Sequence, residues 1–184
     1  LNSEGDFLNT KPWLTVVRGH YTGISLTKDE VSWLISSLGL KPLKQEAKTS
    51  FSSVAVHFRL GDLQSLSTKS YIPISRLSPI INLFSNYRDT VIFSDSSPDE
   101  VKTILSNSIM GDSVDFINAP TLQVMEACTF SHNFIGTNSK ISLWIAVFRI
   151  TFDLGETTWL PREIAHQVET LLPEKIRLAE IHYY

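Results

Sequence analysis

Residues 90–100 read TVIFSDSSPDE. Thr90 to Phe93 is a run of β-branched and aromatic residues of strand length. It breaks into Ser94-Asp95-Ser96-Ser97, residue types that favour turns. Ser97 is a helix N-cap, and Pro98 suits the first helical position because its φ is already fixed. Asp99 and Glu100 add negative charge to the first turn, where the helix dipole is positive. The stretch is therefore strand, turn, helix. Repeated, that unit builds a parallel sheet.

The unit does repeat. Upstream, Val54 to Phe58 (VAVHF) is a short apolar strand, and Ile74 to Phe84 is a helix with Leu77, Ile80, Ile81 and Phe84 on one side. Downstream, Val114 to Ile117 is a strand that precedes a helix over Leu122 to Thr129. Asn133 to Gly136 (NFIG) leads through Thr137-Asn138-Ser139 into a helix from Lys140 to Arg149, and Pro161 to Leu171 is the last helix. The order predicts an α/β chain, a Rossmann-like and mainly parallel sheet with helices on both faces. Further out, Thr27 and Glu30 form a capping box for a helix over Thr27 to Leu38, and Trp13 to Arg18 reads as a strand. Leu40 to Ser53, a polar stretch bearing lysines and a proline, is a connector. Residues 1–47 then belong to the tail of a preceding domain or a hinge, and 48–184 to the Rossmann-like domain.

Composition narrows the function. With 184 residues, 42% hydrophobic and 19% charged, the chain can bury a core, which argues against disorder. Sixteen basic against nineteen acidic residues leave a net charge of −3, so no overall positive field holds nucleic acid. The apolar run Leu143 to Phe148 falls far short of the roughly 20 residues a bilayer requires. No transmembrane segment is expected, while peripheral contact with a membrane stays open. Cys128 is the one cysteine, which forbids an internal disulfide and points to a reducing, cytoplasmic compartment, with attachment at an inner membrane open.

In open parallel sheets ligands bind beyond the carboxyl ends of the strands. That rule selects His57 to Asp62, Ser94 to Ser97 and Thr137 to Ser142. Arg59 presents a fork of donors suited to phosphate, unless it simply pairs with Asp62. Gly61 permits a sharp turn or a close approach. His57 faces either a ligand or the core. Asn138 and Ser139 open a helix whose N-terminus can hold an anion, or one of them merely caps it. Glu163 and His166, spaced Glu-x-x-His, lie on a surface helix and are incidental. The chain has no Walker loop, no GxGxxG, no GxSxG and no HExxH. It also lacks an Asp-x-Asp of the kind that holds a divalent ion on a nucleotide diphosphate, so no metal is expected, and protein cations and helix dipoles would neutralise a bound diphosphate.

Val56-His57-Phe58-Arg59-Leu60-Gly61-Asp62 resembles the His-x-Arg-Arg-Gly-Asp motif of α1,2-fucosyltransferases (glycosyltransferase family 11) and their α1,6- and protein O-fucosyltransferase relatives. Ser70 to Ile74, Ile92-Phe93-Ser94-Asp95, Met125 to Cys128 and Asn138 to Trp144 are similar to later segments of that family, and Arg18 to Gly23 to an earlier one. The chain departs from the pattern at Leu60, Thr121, Lys140 and Leu143. The resemblance implies the C-terminal, donor-binding half of a GT-B enzyme, an inverting, metal-independent glycosyltransferase. GDP-fucose or another GDP-sugar would be the co-substrate, a glycan the acceptor, and the N-terminal domain would be missing from this chain. It implies Arg59 on the diphosphate, with Arg59 and Asp62 catalytic. His57, Arg59, Gly61, Asp95, Asn138, Ser139 and Ser142 would bind the donor. It also makes a Golgi-lumenal fragment the alternative location. The alternative function is a non-catalytic nucleotide-sugar or anion-binding module.

Overall fold

The computed structural model describes residues 26–40, 53–61, 72–87, 89–105, 107–109, 114–171 and 181–184. Among them the chain forms α1 (Lys28–Ser37), β1 (Val54–Phe58), α2 (Ile74–Asn82), β2 (Thr90–Ser94), α3 (Pro98–Leu105), β3 (Val114–Ile117) and α4 (Thr121–Phe130). There follow β4 (Asn133–Gly136), α5 (Lys140–Phe152), β5 (Thr157–Leu160), a 3₁₀ turn (Arg162–Ile164), α6 (Ala165–Leu171) and β6 (Ile181–Tyr183). The sequence-predicted strand over 13–18, the segment 18–23, most of the connector, Asp62 and residues 70–71 lie outside the described residues.

The six strands make one sheet in the order β3-β2-β1-β4-β5-β6, and every pairing is parallel. The chain order reverses between β1 and β4, which makes that gap the topological switch point. Alternate residues of β1 feed two cores. Ala55 joins residues of α1, α4, α5 and α6 on one face, while Val54, Val56 and Phe58 join those of α2 and α3 on the other. A strand covered on both faces has to be apolar throughout, and all five residues of β1 are buried. The edge strand β3 instead alternates half-buried with exposed positions. The fold is thus α/β and Rossmann-like.

The helix starts follow their caps. Thr27 and Glu30 close the predicted capping box, each side chain accepting the other's backbone N–H. Ser97 accepts the N–H of Glu100. Val31 and Ile35 of α1 bury against the α5 side of the sheet, and Leu26 donates its N–H to Leu171 O, so this helix belongs to the same core. Two expectations change. The stretch from Pro161 is a 3₁₀ turn leading into a shorter α6, and two strands, β5 and β6, extend the sheet where none was predicted.

Arg149, on α5, is 1% exposed. Its guanidinium donates to the carbonyls of Cys128, Thr129, Ser131, His132 and Thr157 and to the hydroxyl of Thr158. One side chain thus satisfies the end of α4, the turn into β4 and the entry to β5, at the end of the sheet opposite the switch-point loops. Gly155, at φ +75°, lets the α5–β5 turn pass close to that guanidinium.

Candidate functional site

β1, β2 and β4 end side by side, and the loops leaving them carry the predicted site residues. The β1–β4 register sets His57 opposite Gly136. One residue further, Thr137 donates its N–H to His57 O, continuing the ladder past the last paired residue. Its hydroxyl donates to the same carbonyl at 2.9 Å and accepts the N–H of Arg59 at 3.0 Å. Arg59 thereby leaves β1 from a backbone fixed to β4, with its side chain half-buried.

Ser139 is the N-cap of α5, its hydroxyl accepting the N–H of Ser142 at 3.0 Å. The His57 ring turns toward this helix start. Nδ1 lies 2.8 Å from Ser142 Oγ and 3.2 Å from Ser139 Oγ. Ser142 Oγ already accepts the N–H of Thr137 and the hydroxyl of Ser139, so its own proton is directed at Nδ1. The network thus assigns Nδ1 as acceptor and places the ring proton on Nε2. Burial pushes His57 down to about 4, against a raising effect from Asp95 and a further lowering from Arg59. The imidazole is therefore neutral at pH 7. It ties β1 to the start of α5.

Asp95, at the end of β2, is exposed, and one carboxylate oxygen accepts the N–H groups of Leu60 at 2.8 Å and Gly61 at 3.0 Å. This holds the loop that follows β1. A Cβ on Gly61 would stand 2.7 Å from Asp95 Oδ2, so the close approach that needs glycine here is to this carboxylate. Beside it Ser94 Oγ accepts the N–H of Ser96, and Asn118 donates to Ser96 O, closing the turn after β2.

The structure therefore brings His57, Arg59, Gly61, Asp95, Asn138, Ser139 and Ser142 to adjacent strand ends. It divides them by burial. His57, Ser139 and Ser142 are buried and bonded to one another. Arg59 and Asn138 are half-buried and Asp95 is exposed, so these three are the more accessible members of the group. Asp62 lies outside the described residues. Thr137 opens one of the three selected stretches but has no predicted role of its own, although its hydroxyl joins both strands. Glu163, read as incidental, forms a two-pronged ion pair with Arg76, which also donates to Tyr184 O. The Tyr184 hydroxyl donates to Gly136 O, so β6 is tied back to the end of β4.

Among the described residues no group of three His, Cys, Asp or Glu side chains is placed to hold a metal ion, and no helix is long and apolar enough to cross a membrane. No protein-family model matches the chain, and no curated protein matches it either.

Proposed function

We propose that the chain is the donor-binding part of an inverting GT-B glycosyltransferase that takes a GDP-sugar, with GDP-fucose the first candidate, and passes the sugar to a glycan hydroxyl. One observation carries this reading: Arg59 and the N-terminus of the 13-residue helix α5 flank the same β1/β4 switch point, where an open parallel sheet receives a diphosphate. The motif order along the sequence supports it as well.

In this reading the acceptor hydroxyl attacks the anomeric carbon, the bond to the diphosphate oxygen breaks with inversion, and negative charge grows on the departing GDP. Arg59 offers a planar fork of donors to that charge, and the α5 dipole adds a partial positive charge from the other side. Asn138 offers an amide at the helix entry; its side chain makes no hydrogen bond to the described residues. His57, Ser139 and Ser142 act by holding the two strand ends together. Asp62 is the candidate base.

Binding without transfer is the second reading, and the inward turn of His57 favours it, because the crevice then has no imidazole base from that residue.

Titration calorimetry with GDP and UDP, each with and without EDTA, is the test. Binding of GDP that survives EDTA is expected. Arg59→Ala should weaken it on the order of ten- to a hundredfold, since a charge-assisted contact contributes about 1.5–3 kcal/mol. Arg59→Lys should recover part of the loss. Tighter binding of UDP, or a strict metal requirement, refutes the GDP reading. GDP-sugar turnover with a glycan acceptor separates transfer from binding alone.

A further inference from the structure

Arg59 has to project from a fixed backbone if it is to meet a diphosphate at the mouth of α5, and the strand that carries it ends one residue earlier, at Phe58. The parallel β1–β4 ladder runs out at the His57–Gly136 pair. Beyond that pair a loop would ordinarily be free to turn. Here it is held by a side chain. Thr137 is 1% exposed, and its hydroxyl is used twice: the O–H donates to His57 O, and a lone pair accepts the N–H of Arg59. The hydroxyl stands in for the next backbone rung of the ladder. The same residue's N–H donates to His57 O and lies against Ser142 Oγ, so it is also fixed to the first turn of α5.

Resting on the donor-site reading above, we infer that Thr137 is a positioning residue for that site, whose hydroxyl sets the backbone of Arg59 relative to the N-terminus of α5. Thr137 itself faces no ligand, being sealed between the two strand ends. It acts through Arg59. Valine has nearly the same shape but can neither donate to His57 O nor accept from Arg59 N, so the two polar groups would be left without that partner. Serine keeps both bonds. The hydroxyl and the shape can therefore be tested separately.

The experiment compares wild type, Thr137→Val and Thr137→Ser in the full chain. It measures GDP affinity by calorimetry, thermal unfolding, and amide exchange at Arg59 by NMR. Thr137→Val should speed exchange of the Arg59 amide and weaken GDP by about tenfold, the lower end of the loss expected when the charge-assisted Arg59 contact is removed outright. Thr137→Ser should restore both. In an Arg59→Ala background the valine substitution should no longer change GDP affinity, because the group being positioned is gone. If Thr137→Val does not fold, Thr137→Ala, which leaves room for water between the same two groups, carries the comparison. Wild-type GDP affinity in a folded valine or alanine variant overturns the inference, as does an equal loss in the Arg59→Ala background. Failure of the wild-type chain to bind GDP overturns the donor-site reading itself, and that outcome is distinct from both.

Discussion

Acidification should lower folding stability through His57 before it touches the carboxylate pairs. His57 has an ordinary value of 6.5 and is pushed to about 4, burial being the largest cause. Hydrogen bonding alone would not do this: the Ser139 and Ser142 hydroxyls can rotate to accept from a protonated Nδ1, so the dominant penalty is the charge on a ring that is 5% exposed. Between the two values the unfolded chain binds the proton and the folded chain does not. Stability therefore falls as pH drops from 6.5 toward 4, and this group contributes no further loss below that. A separation of this size corresponds to about 3 kcal/mol. Glu30 and Glu163 are both held below the ordinary carboxylate value, by Thr27 and by Arg76 respectively, so their losses begin only below 4.5. Urea unfolding at pH steps from 6.5 to about 4, on wild type and His57→Gln, isolates the effect. Glutamine can accept from Ser142 but does not titrate, and every other ionisable group is common to both chains. Wild type should lose about 3 kcal/mol more than the variant across this window. Parallel pH profiles would refute the buried, neutral imidazole.

Two further perturbations test the frame. Arg149→Met keeps an unbranched apolar stem but ends short of the guanidinium, which leaves the carbonyls of Cys128, Thr129, Ser131, His132 and Thr157 without their shared donor. A buried carbonyl left without a donor costs about 1–3 kcal/mol, and several lose theirs together, so about 3–5 kcal/mol is expected in urea unfolding; a loss under about 1 kcal/mol would show that the carbonyls find other donors. Gly136→Ala would put a Cβ 2.8 Å from Ser142 Cβ and 2.9 Å from Leu160 Cδ2, so the start of α5 or the Leu160 side chain has to shift. The expected destabilisation is about 1–3 kcal/mol, read from the same transition, and an unchanged midpoint would mean that α5 can move away freely.

The parts of the fold that were legible are those where local chemistry and tertiary role coincide. VAVHF and NFIG are apolar because central strands are covered on both faces, and Ser97-Pro98-Asp99-Glu100 starts a helix whatever surrounds it. β5 failed that test. TTWL is four residues long and alternates half-buried with buried positions, so only its pairing with β4 and β6 makes it a strand. β6 is shorter still, and its hydrogen-bond partners lie in β5 rather than in its own sequence. The turn after Pro161 shows the opposite error. Pro161 marks a helical start correctly, but the first turn winds as 3₁₀ before α6 begins.

At the site, position was legible and direction was not. Loops leaving parallel strands collect at one end of the sheet, so His57, Arg59, Asp95, Asn138 and Ser139 had to be neighbours once the strands were read. Whether a side chain then faces ligand or core depends on the period-2 pattern, and on β1 that pattern is silent, because both faces are buried. The reason His57 turns inward lies on another strand. The register pairs it with Gly136, and the space a side chain would fill there is the space through which Ser142 reaches the imidazole. A glycine at the end of an apolar strand, followed within six residues by two serines at capping spacing, is the trace this leaves in the sequence. It becomes readable only when the partner strand is known to carry a histidine at the paired position. Thr137 is hidden for the same reason: its hydroxyl has a role only because His57 O and Arg59 N come from the neighbouring strand.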